Sequence, residues 1–243
     1  SDGDRTTADL VVAADGGQST ARAQLFPDAD PEFADYVAWR GVVSEAELSD
    51  AVIDAFDGRF TFYQGEQMLI LAYFIPGEDG NTAPGDRRLN WVWYDTLSGR
   101  ERETIFTDTT GTSQQFSVPP GRLREPVETR QRERASAVLP PVFTDLVATT
   151  AAPFVQAIYD LWVPRMTVDR VCLLGDAAFV ARPHTAAGTA KAASDAVELK
   201  AALDRHSSLG DALASWDDAR TDYGERLVAQ GKRMGDERLS LGS

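Results

Sequence analysis

The chain has 243 residues, 43% of them hydrophobic, which is enough for one large globular domain or two smaller ones. Its formal net charge of −14 argues against nucleic acid as a partner, because binding phosphates requires a basic surface. No apolar run approaches the roughly 18 residues needed to span a bilayer, and residues 1–4 lack the features of a leader, so the sequence predicts a cytoplasmic protein without a membrane partner.

Two short apolar runs, far apart in the sequence, are typical of strands in a parallel sheet. The first covers residues 8–14 and the second residues 170–174. Continuous hydrophobicity of this kind predicts strands that are buried on both faces. Between the two runs, residues 59–75 predict two strands joined near Gly65, and residues 88–96 predict a further strand with alternating side chains. These consecutive strands predict an antiparallel sheet.

Helices are predicted in the second half of the chain. Residues 129–146 have a helical pattern that the Pro-Pro pair at 140–141 must interrupt, and residues 152–161 are also predicted to be helical. Residues 189–203, rich in Ala, Lys, Glu and Leu, predict a long helix. The order of elements predicts an α/β fold in which a second domain, built on the antiparallel sheet, is inserted between the strands of the parallel sheet.

The first apolar run leads into the pattern D-G-x-x-S-x-x-R, from Asp15 to Arg22. A strand that ends here delivers Asp15 to the carboxyl edge of the sheet, where ligands of open α/β sheets bind. Gly16 allows a tight turn with close backbone approach, and Ser19 can cap the following helix. The same segment can also be an ordinary strand-to-helix turn without a ligand.

The second apolar run leads into Gly175-Asp176, two small residues, a Pro-containing loop and a small-residue stretch that opens a helix. A helix start with unpaired amides can bind an anionic or electron-rich ligand edge, and small residues let a flat ring approach the backbone. A carboxylate such as that of Asp176 can accept hydrogen bonds from ribityl or ribose hydroxyls. The alternative is a plain crossover connection in which this carboxylate has no ligand.

Together the two segments resemble the flavin-binding motifs of the FAD-dependent aromatic hydroxylases, the class A flavoprotein monooxygenases typified by para-hydroxybenzoate hydroxylase. The first matches the family's D-G-x-x-S-x-x-R motif, and the second its G-D-A-A motif with Pro183, Gly188 and Asp195 beyond it. Residues 36–41 and 182–192 are most similar to the branch that hydroxylates 2,6-dihydroxypyridine. The resemblance spans essentially the whole chain.

The resemblance implies how the chain divides into domains. Residues 1–30 would be part of the FAD-binding domain, residues 31–165 an inserted substrate domain with an antiparallel sheet and helices, and residues 166–243 the remainder of the FAD-binding domain with C-terminal helices. The family begins with a G-x-G-x-x-G motif, which this sequence does not contain. A missing N-terminal FAD segment is therefore expected as a partner, and the oligomeric state is open, with a homodimer as one alternative.

The resemblance also implies roles for individual residues. The Asp-Gly pair of the first motif would lie near the FAD pyrophosphate and the approach of NAD(P)H, and the Gly-Asp pair of the second would bind the ribityl chain. Backbone amides at the start of the long helix would face the pyrimidine end of the flavin and stabilise negative charge on its reduced form. The candidates for cofactor contacts are Asp15, Gly16, Arg22, Gly175, Asp176, Ala187, Gly188, Thr189 and Ala190.

Three further residues are candidates for a catalytic role near the flavin: Pro183 and His184, in the loop that would face the ring, and Arg40, on the first strand of the inserted sheet. A surface position for His184 and a simple ion pair for Arg40 are the alternatives. Aromatic strand residues either wall a pocket for an aromatic substrate or fill the core; they are Trp91, Trp93 and Tyr94. No metal site is predicted, because His, Cys and carboxylates do not cluster.

The activity implied by the resemblance is hydroxylation of a small aromatic or heteroaromatic substrate, in which NADH or NADPH reduces FAD and O2 forms a flavin C4a-hydroperoxide. Alternatives are a flavin reductase or dehydrogenase without oxygen insertion, and a non-catalytic fragment of the fold. Two departures from the family weaken side-chain contacts to the flavin: Phe179 replaces a common His, and the usual Asn is lost near Ala190. The acidic composition fits either a salt-adapted host or a GC-rich genome.

Overall fold

A computed structural model describes residues 5–239. Its internal contacts divide the chain into two compact units, the first formed by Ser1–Glu32 with Tyr159–Gly235 and the second by Phe33–Ile158 with Asp236–Ser243. The outer ends of the predicted domains, residues 1–4 and 240–243, lie outside the described residues. The functional assignment of the predicted domains stays a prediction.

Most strands of the antiparallel sheet lie, in sequence, between two distant strands that are parallel to each other. Short 3-10 turns at Glu45–Glu47, Gly175–Ala177 and Pro183–Thr185 join some of them. In chain order, the described elements are β1 (Val11–Ala13), α1 (Thr20–Leu25), β2 (Glu32–Ser44), α2 (Asp50–Phe56), β3 (Thr61–Gly65), β4 (Met68–Ile75), β5 (Arg88–Thr96), α3 (Gly99–Ile105), β6 (Ser117–Val118), α4 (Glu125–Val138), α5 (Pro141–Thr149), β7 (Phe154–Asp160), β8 (Thr167–Val168), β9 (Val171–Leu173), α6 (Gly188–Arg205) and α7 (Leu209–Leu239).

The sheet of the first unit has the order β1-β9-β8. Strands β1 and β9 are parallel, with Val12 opposite Cys172, which confirms that the two apolar runs are neighbours in one sheet. The expectation that the first run is buried on both faces is wrong, since Val11 and Val12 remain 48% and 45% exposed. The reason is that β1 lies at an edge of the described sheet. Hydrophobicity alone does not report how many neighbours a strand has.

The sheet of the second unit has the order β3-β4-β5-β2-β7-β6. Strand β5 is antiparallel to both β4 and β2, and β3 is antiparallel to β4. This confirms the predicted antiparallel sheet, including the hairpin near Gly65, where Gln67 adopts a φ of +55°. Trp91 is fully buried, and its indole Nε1 donates to the Thr150 hydroxyl at 2.9 Å.

One predicted helix is wrong. Within the predicted helix of residues 152–161, Phe154–Asp160 form strand β7, which pairs in antiparallel register with β6 through Val118 and Val155 and lies beside β2 in the sheet. The segment contains Phe154, Val155, Ile158 and Tyr159, side chains that pack well on a pleated surface. Pairing with other strands therefore determined the secondary structure of a short run whose apolar content is compatible with either a helix or a strand.

The proline pair acts as predicted. Helix α4 ends at Val138, and α5 begins at Pro141 after Pro140, whose ψ of 151° is extended. Proline is tolerated in the first turn of a helix, where its missing N–H has no partner to lose, but not in the interior. The two helices therefore form where the sequence predicted one interrupted helix.

Candidate functional site

The turn between β1 and α1 is built from the first sequence motif. Gly16 has a φ of +80°, a conformation that favours glycine. The Ser19 hydroxyl caps α1 by accepting from the amide of Arg22 at 2.9 Å, and the Asp15 carboxylate accepts from the amide of Ala21 at 3.2 Å. Side chains of the motif therefore accept hydrogen bonds from the first backbone amides of α1.

The charge of Asp15 is favoured by this arrangement. Desolvation raises the pKa of its carboxyl group, but hydrogen bonds from the Ser19 side chain and from backbone amides, including that of Ala21, outweigh it, so the pKa lies below its ordinary value. The side chain is exposed. Asp15 therefore carries a negative charge on the surface at the carboxyl end of β1.

Arg22 connects the two sequence motifs. Its buried guanidinium donates to the backbone carbonyl of Gly17 at 2.6 Å and to that of Ala177 at 3.1 Å. Desolvation lowers the pKa of Arg22 from its ordinary value, although the charges of Asp15 and Asp30 oppose this shift. The side chain therefore holds the Asp-Gly turn against the Gly-Asp turn, a positioning contact that the sequence did not predict.

Gly175 begins the second turn and is required by its surroundings. Its φ is +65°, and a Cβ at this position would lie 3.0 Å from that of Ala192 on α6. Its amide donates to the carboxylate of Asp195 at 3.0 Å. Asp195 is fully buried and accepts from Arg220 Nε at 2.8 Å. The Gly175–Asp195 hydrogen bond therefore links the turn to α6, and the buried ion pair links α6 to α7.

Asp176 presents a carboxylate to solvent while a buried lysine holds one of its oxygens. Its side chain is 50% exposed, and its Oδ1 lies 2.6 Å from Lys191 Nζ. Lys191 is only 1% exposed, and its ammonium lies 4.5 Å from the centre of the Phe179 ring. Phe179, a departure from the family pattern, thus forms one wall of the lysine site. The Asp176 carboxylate is oriented and able to accept hydrogen bonds from a hydroxyl group.

The start of α6 offers backbone donors. Ala187 is the N-cap residue and provides no side-chain cap, and the next three residues, Gly188, Thr189 and Ala190, are exposed. A Cβ on Gly188 would meet no atom within 4 Å. Because the first amides of a helix lack intrahelical acceptors, this end of α6 can donate hydrogen bonds to an electron-rich ligand edge.

The loop that leads to α6 is fixed by a buried ion pair. Arg182 donates through Nε to both carboxylate oxygens of Asp160, at 3.1 and 3.0 Å, and through Nη2 to Oδ2 at 2.8 Å. The exposed Pro183 and the half-buried His184 follow in a 3-10 turn, and Ala186 then adopts a φ of +51°. The loop is therefore held in place by a pair whose members were not predicted to have a role.

Arg40 belongs to the second unit. Its Nη1 donates to the side chain of Gln156 at 3.0 Å, and its guanidinium lies 5.6 Å from the centre of the Phe154 ring. The other predicted site residues, from Asp15 to Ala190, all belong to the first unit, where Arg22 brings the two motifs together and Lys191 joins Asp176 to α6. The roles assigned to these residues stay predictions.

Within residues 5–239, no group of three or more His, Cys, Asp or Glu side chains is arranged to hold a metal ion. No helix there is both long enough and apolar enough to cross a bilayer.

The sequence resembles flavoproteins over its full length. A family model described as FAD binding domain-like matches residues 33–160. The 2,6-dihydroxypyridine 3-monooxygenase of Paenarthrobacter nicotinovorans is 36% identical over 235 residues, which cover 96% of this chain and 58% of that protein. The chain spans about half the length of the curated relatives it matches, several of which are named FAD-dependent monooxygenases.

Solved structures give the same result. The 2,6-dihydroxypyridine-3-hydroxylase of Arthrobacter nicotinovorans matches with a TM-score of 0.91 and 34% identity, covering 100% of this chain and 61% of that one. HpxO of Klebsiella pneumoniae, solved with FAD and uric acid, matches with a TM-score of 0.74 over 99% of this chain and 54% of that one. At 22% identity, the second match supports the fold alone.

Proposed function

The chain belongs to the FAD-binding-domain-like family of the FAD-dependent aromatic hydroxylases, and on this premise we propose that it is part of an FAD-dependent monooxygenase that hydroxylates an aromatic or heteroaromatic ring. NADH or NADPH would supply the electrons, and O2 the inserted oxygen. The observation that carries the proposal is the oriented, half-exposed carboxylate of Asp176, held by Lys191 beside the uncapped start of α6.

The residues of the first unit suit a flavin chemically. A ribityl chain carries hydroxyl groups, for which Asp176 is an acceptor held in a fixed position by Lys191. The flavin ring is flat and carries carbonyl oxygens at its pyrimidine end, for which the amides from Gly188 to Ala190 are donors. Open space at Gly188 allows the ring to approach the backbone. These features are independent of one another and point to the same group.

FAD, when bound, supplies electron transfer from NAD(P)H and the reaction with O2. The protein's contribution is to bind and orient it. Arg22 would keep the two flavin-binding turns in register, and the α6 amides would stabilise negative charge at the pyrimidine edge. Pro183 would line the ring, while His184 and Arg40 would contact the substrate or the flavin.

We propose that Asp15 and Gly16 lie near the FAD pyrophosphate and that β1 pairs with a further strand. Val11 and Val12 on this edge strand are half-exposed, although apolar edge strands are usually covered or interrupted by charge. A segment carrying the G-x-G-x-x-G motif would cover this edge and complete the cofactor site. A homodimer is the oligomeric state we propose to test alongside it.

The substrate class follows from the relatives. Two matches above 30% identity are named for 2,6-dihydroxypyridine, so a hydroxylated N-heteroaromatic ring is the first substrate we propose. Such a ring is electron-rich and planar, and the reaction would add one oxygen atom from O2 to a ring carbon.

The proposal is tested by oxygen uptake with a panel of hydroxypyridines and hydroxybenzoates. The chain is assembled with a segment carrying the G-x-G-x-x-G motif and supplied with FAD and either NADH or NADPH. We expect one ring to give uptake together with an equimolar hydroxylated product. Oxidation of NAD(P)H without hydroxylation of any ring would favour a reductase, and bound FAD that is never reduced would favour a non-catalytic member of the fold.

A further inference from the structure

A cavity of about 490 Å³ lies within the second unit, between one face of the antiparallel sheet and helices α3 and α4. Trp39 and Trp93, which face each other in the register of β2 and β5, form its floor. Ile105 and Val127 contribute apolar walls from the two helices. Because side chains alternate along a strand, Arg40 projects from the opposite face of the sheet to Trp39. The cavity is therefore separate from the face that carries Arg40.

Polar atoms of this cavity are buried without partners in the described part of the chain. They are the indole Nε1 of Trp93, both amide atoms of Gln131 and Nε of Arg124. Trp93 is fully buried and Gln131 is 3% exposed. A buried polar atom without a hydrogen bond is costly, and such atoms in native proteins usually bind water or a ligand. Three donors and one acceptor at this cavity thus lack partners within the described residues.

The charges around the cavity do not balance. Arg134 binds Asp95 through two hydrogen bonds of 2.6 Å, and Arg130 pairs with Glu101. The guanidinium of Arg124 donates to the backbone carbonyl of Thr104 at 2.6 Å and has no carboxylate partner among the described contacts. One uncompensated positive charge therefore remains at a cavity walled by two indole rings.

We propose that this cavity binds a small planar aromatic monoanion, such as a one-ring aromatic carboxylate, at a site that shares no residue with the proposed flavin contacts and lies on the opposite sheet face to Arg40. The ring would pack among Trp39, Trp93 and Val127. The carboxylate would accept from Arg124 Nε and from the Gln131 amide. The volume lies in the range of small-molecule pockets, which are mostly apolar with a few convergent polar groups. The site is complete within the second unit and does not depend on the proposed activity.

The first test is titration with benzoate, read by tryptophan fluorescence and calorimetry on the whole chain. We expect saturable binding by the natural chain and at least tenfold weaker binding of benzamide, which is planar but neutral. Arg124→Met should also weaken benzoate binding at least tenfold. Arg122→Met removes the same charge two residues away, from a side chain that does not line the cavity, and should leave affinity unchanged.

A second variant separates binding from folding. Gln131→Leu removes two buried unpartnered polar atoms, so we expect Tm to rise by roughly 2–4 °C while benzoate affinity falls at least tenfold. The proposal is overturned if the natural chain shows no saturable binding, since the cavity then holds water alone. It is equally overturned if Arg124→Met and Gln131→Leu bind benzoate as tightly as the natural chain, since the ligand then binds elsewhere.

Discussion

At the scale of single residues, the proposed flavin site depends on the pair formed by Lys191 and Asp176. The Lys191 side chain is 1% exposed and has lost nearly all of its hydration, and a carboxylate at 2.6 Å and the face of Phe179 replace the lost water contacts. The carboxylate itself remains half-exposed. Lys191 therefore acts through Asp176, as a positioning residue, and does not itself contact solvent.

We expect Lys191→Met to weaken FAD binding about tenfold, which corresponds to about 1.4 kcal/mol. Methionine keeps much of the apolar stem but frees the Asp176 carboxylate to rotate. The effect is measured by quenching of flavin fluorescence, with Lys200→Met as control, because Lys200 forms an exposed pair with Asp204 elsewhere on the same helix. In an Asp176→Asn background the Lys191→Met effect should disappear. Equal losses in both backgrounds would show that Lys191 does not act through this carboxylate.

The sequence predicted the residues of both motifs but not the side chains that connect them. Asp15 and Asp176 can be identified in the sequence because each follows a predicted strand and lies next to a glycine. The sequence placed Arg22 in a motif but did not predict its contacts to Gly17 and Ala177. Together these contacts join segments more than 150 positions apart. Lys191 lies in a run of small residues. The signal in the sequence that could have identified it is that a long charged side chain interrupts this run.

At the scale of elements, an ion pair fixes the ends of two neighbouring strands. Glu45 follows β2 directly, and Arg87 precedes β5. Arg87 binds both carboxylate oxygens of Glu45, with distances of 2.9 Å from Nε and 2.6 Å from Nη2. The hydrogen bond from Arg87 lowers the pKa of Glu45 below its ordinary value, in spite of desolvation, and the amide of Gly85 adds to this effect.

The pair makes the stability of the second unit dependent on pH. Because the pKa of Glu45 is lower in the folded state, its stabilisation is fully present above the ordinary pKa of 4.5 and is lost as the pH falls through the lower folded value. We expect Glu45→Gln to lower the free energy of unfolding by about 1–3 kcal/mol at pH 7. The difference should shrink as the pH falls below about 4.5. Urea unfolding at several pH values measures it.

The control for this variant is Glu47→Gln, since Glu47 is an exposed acid two residues away. It should change stability little at any pH. A Glu45→Gln effect of constant size from pH 7 to pH 3 would contradict the ionic origin of the stabilisation.

Elements differed in how well the sequence predicted them. Strand β5 and helix α6 were predicted nearly to the residue, because nine alternating residues or eighteen helix-forming ones give a long periodic signal. Strand β7 was predicted as a helix, because a seven-residue run is too short for periodicity to decide. Its strand state depends on β6 and β2, which lie far away in the sequence.

At the scale of the whole molecule, the chain consists of two compact units, one with the flavin motifs and one with the antiparallel sheet. The family match over residues 33–160 falls on the second unit, whereas the residues proposed to hold FAD lie in the first. The exposed apolar edge of β1 belongs to the first unit as well. Cofactor binding is therefore the property on which the proposed function depends most.

The measurement that tests this most directly is an FAD titration of the chain, with and without a segment carrying the G-x-G-x-x-G motif. We predict saturable binding when that segment is present, and at least tenfold weaker binding for Asp176→Asn, with no change for Asp204→Asn, whose carboxylate pairs with Lys200. If FAD does not bind in either case, or binds equally well to all three chains, the assignment of Asp176 and the start of α6 to a flavin site is contradicted.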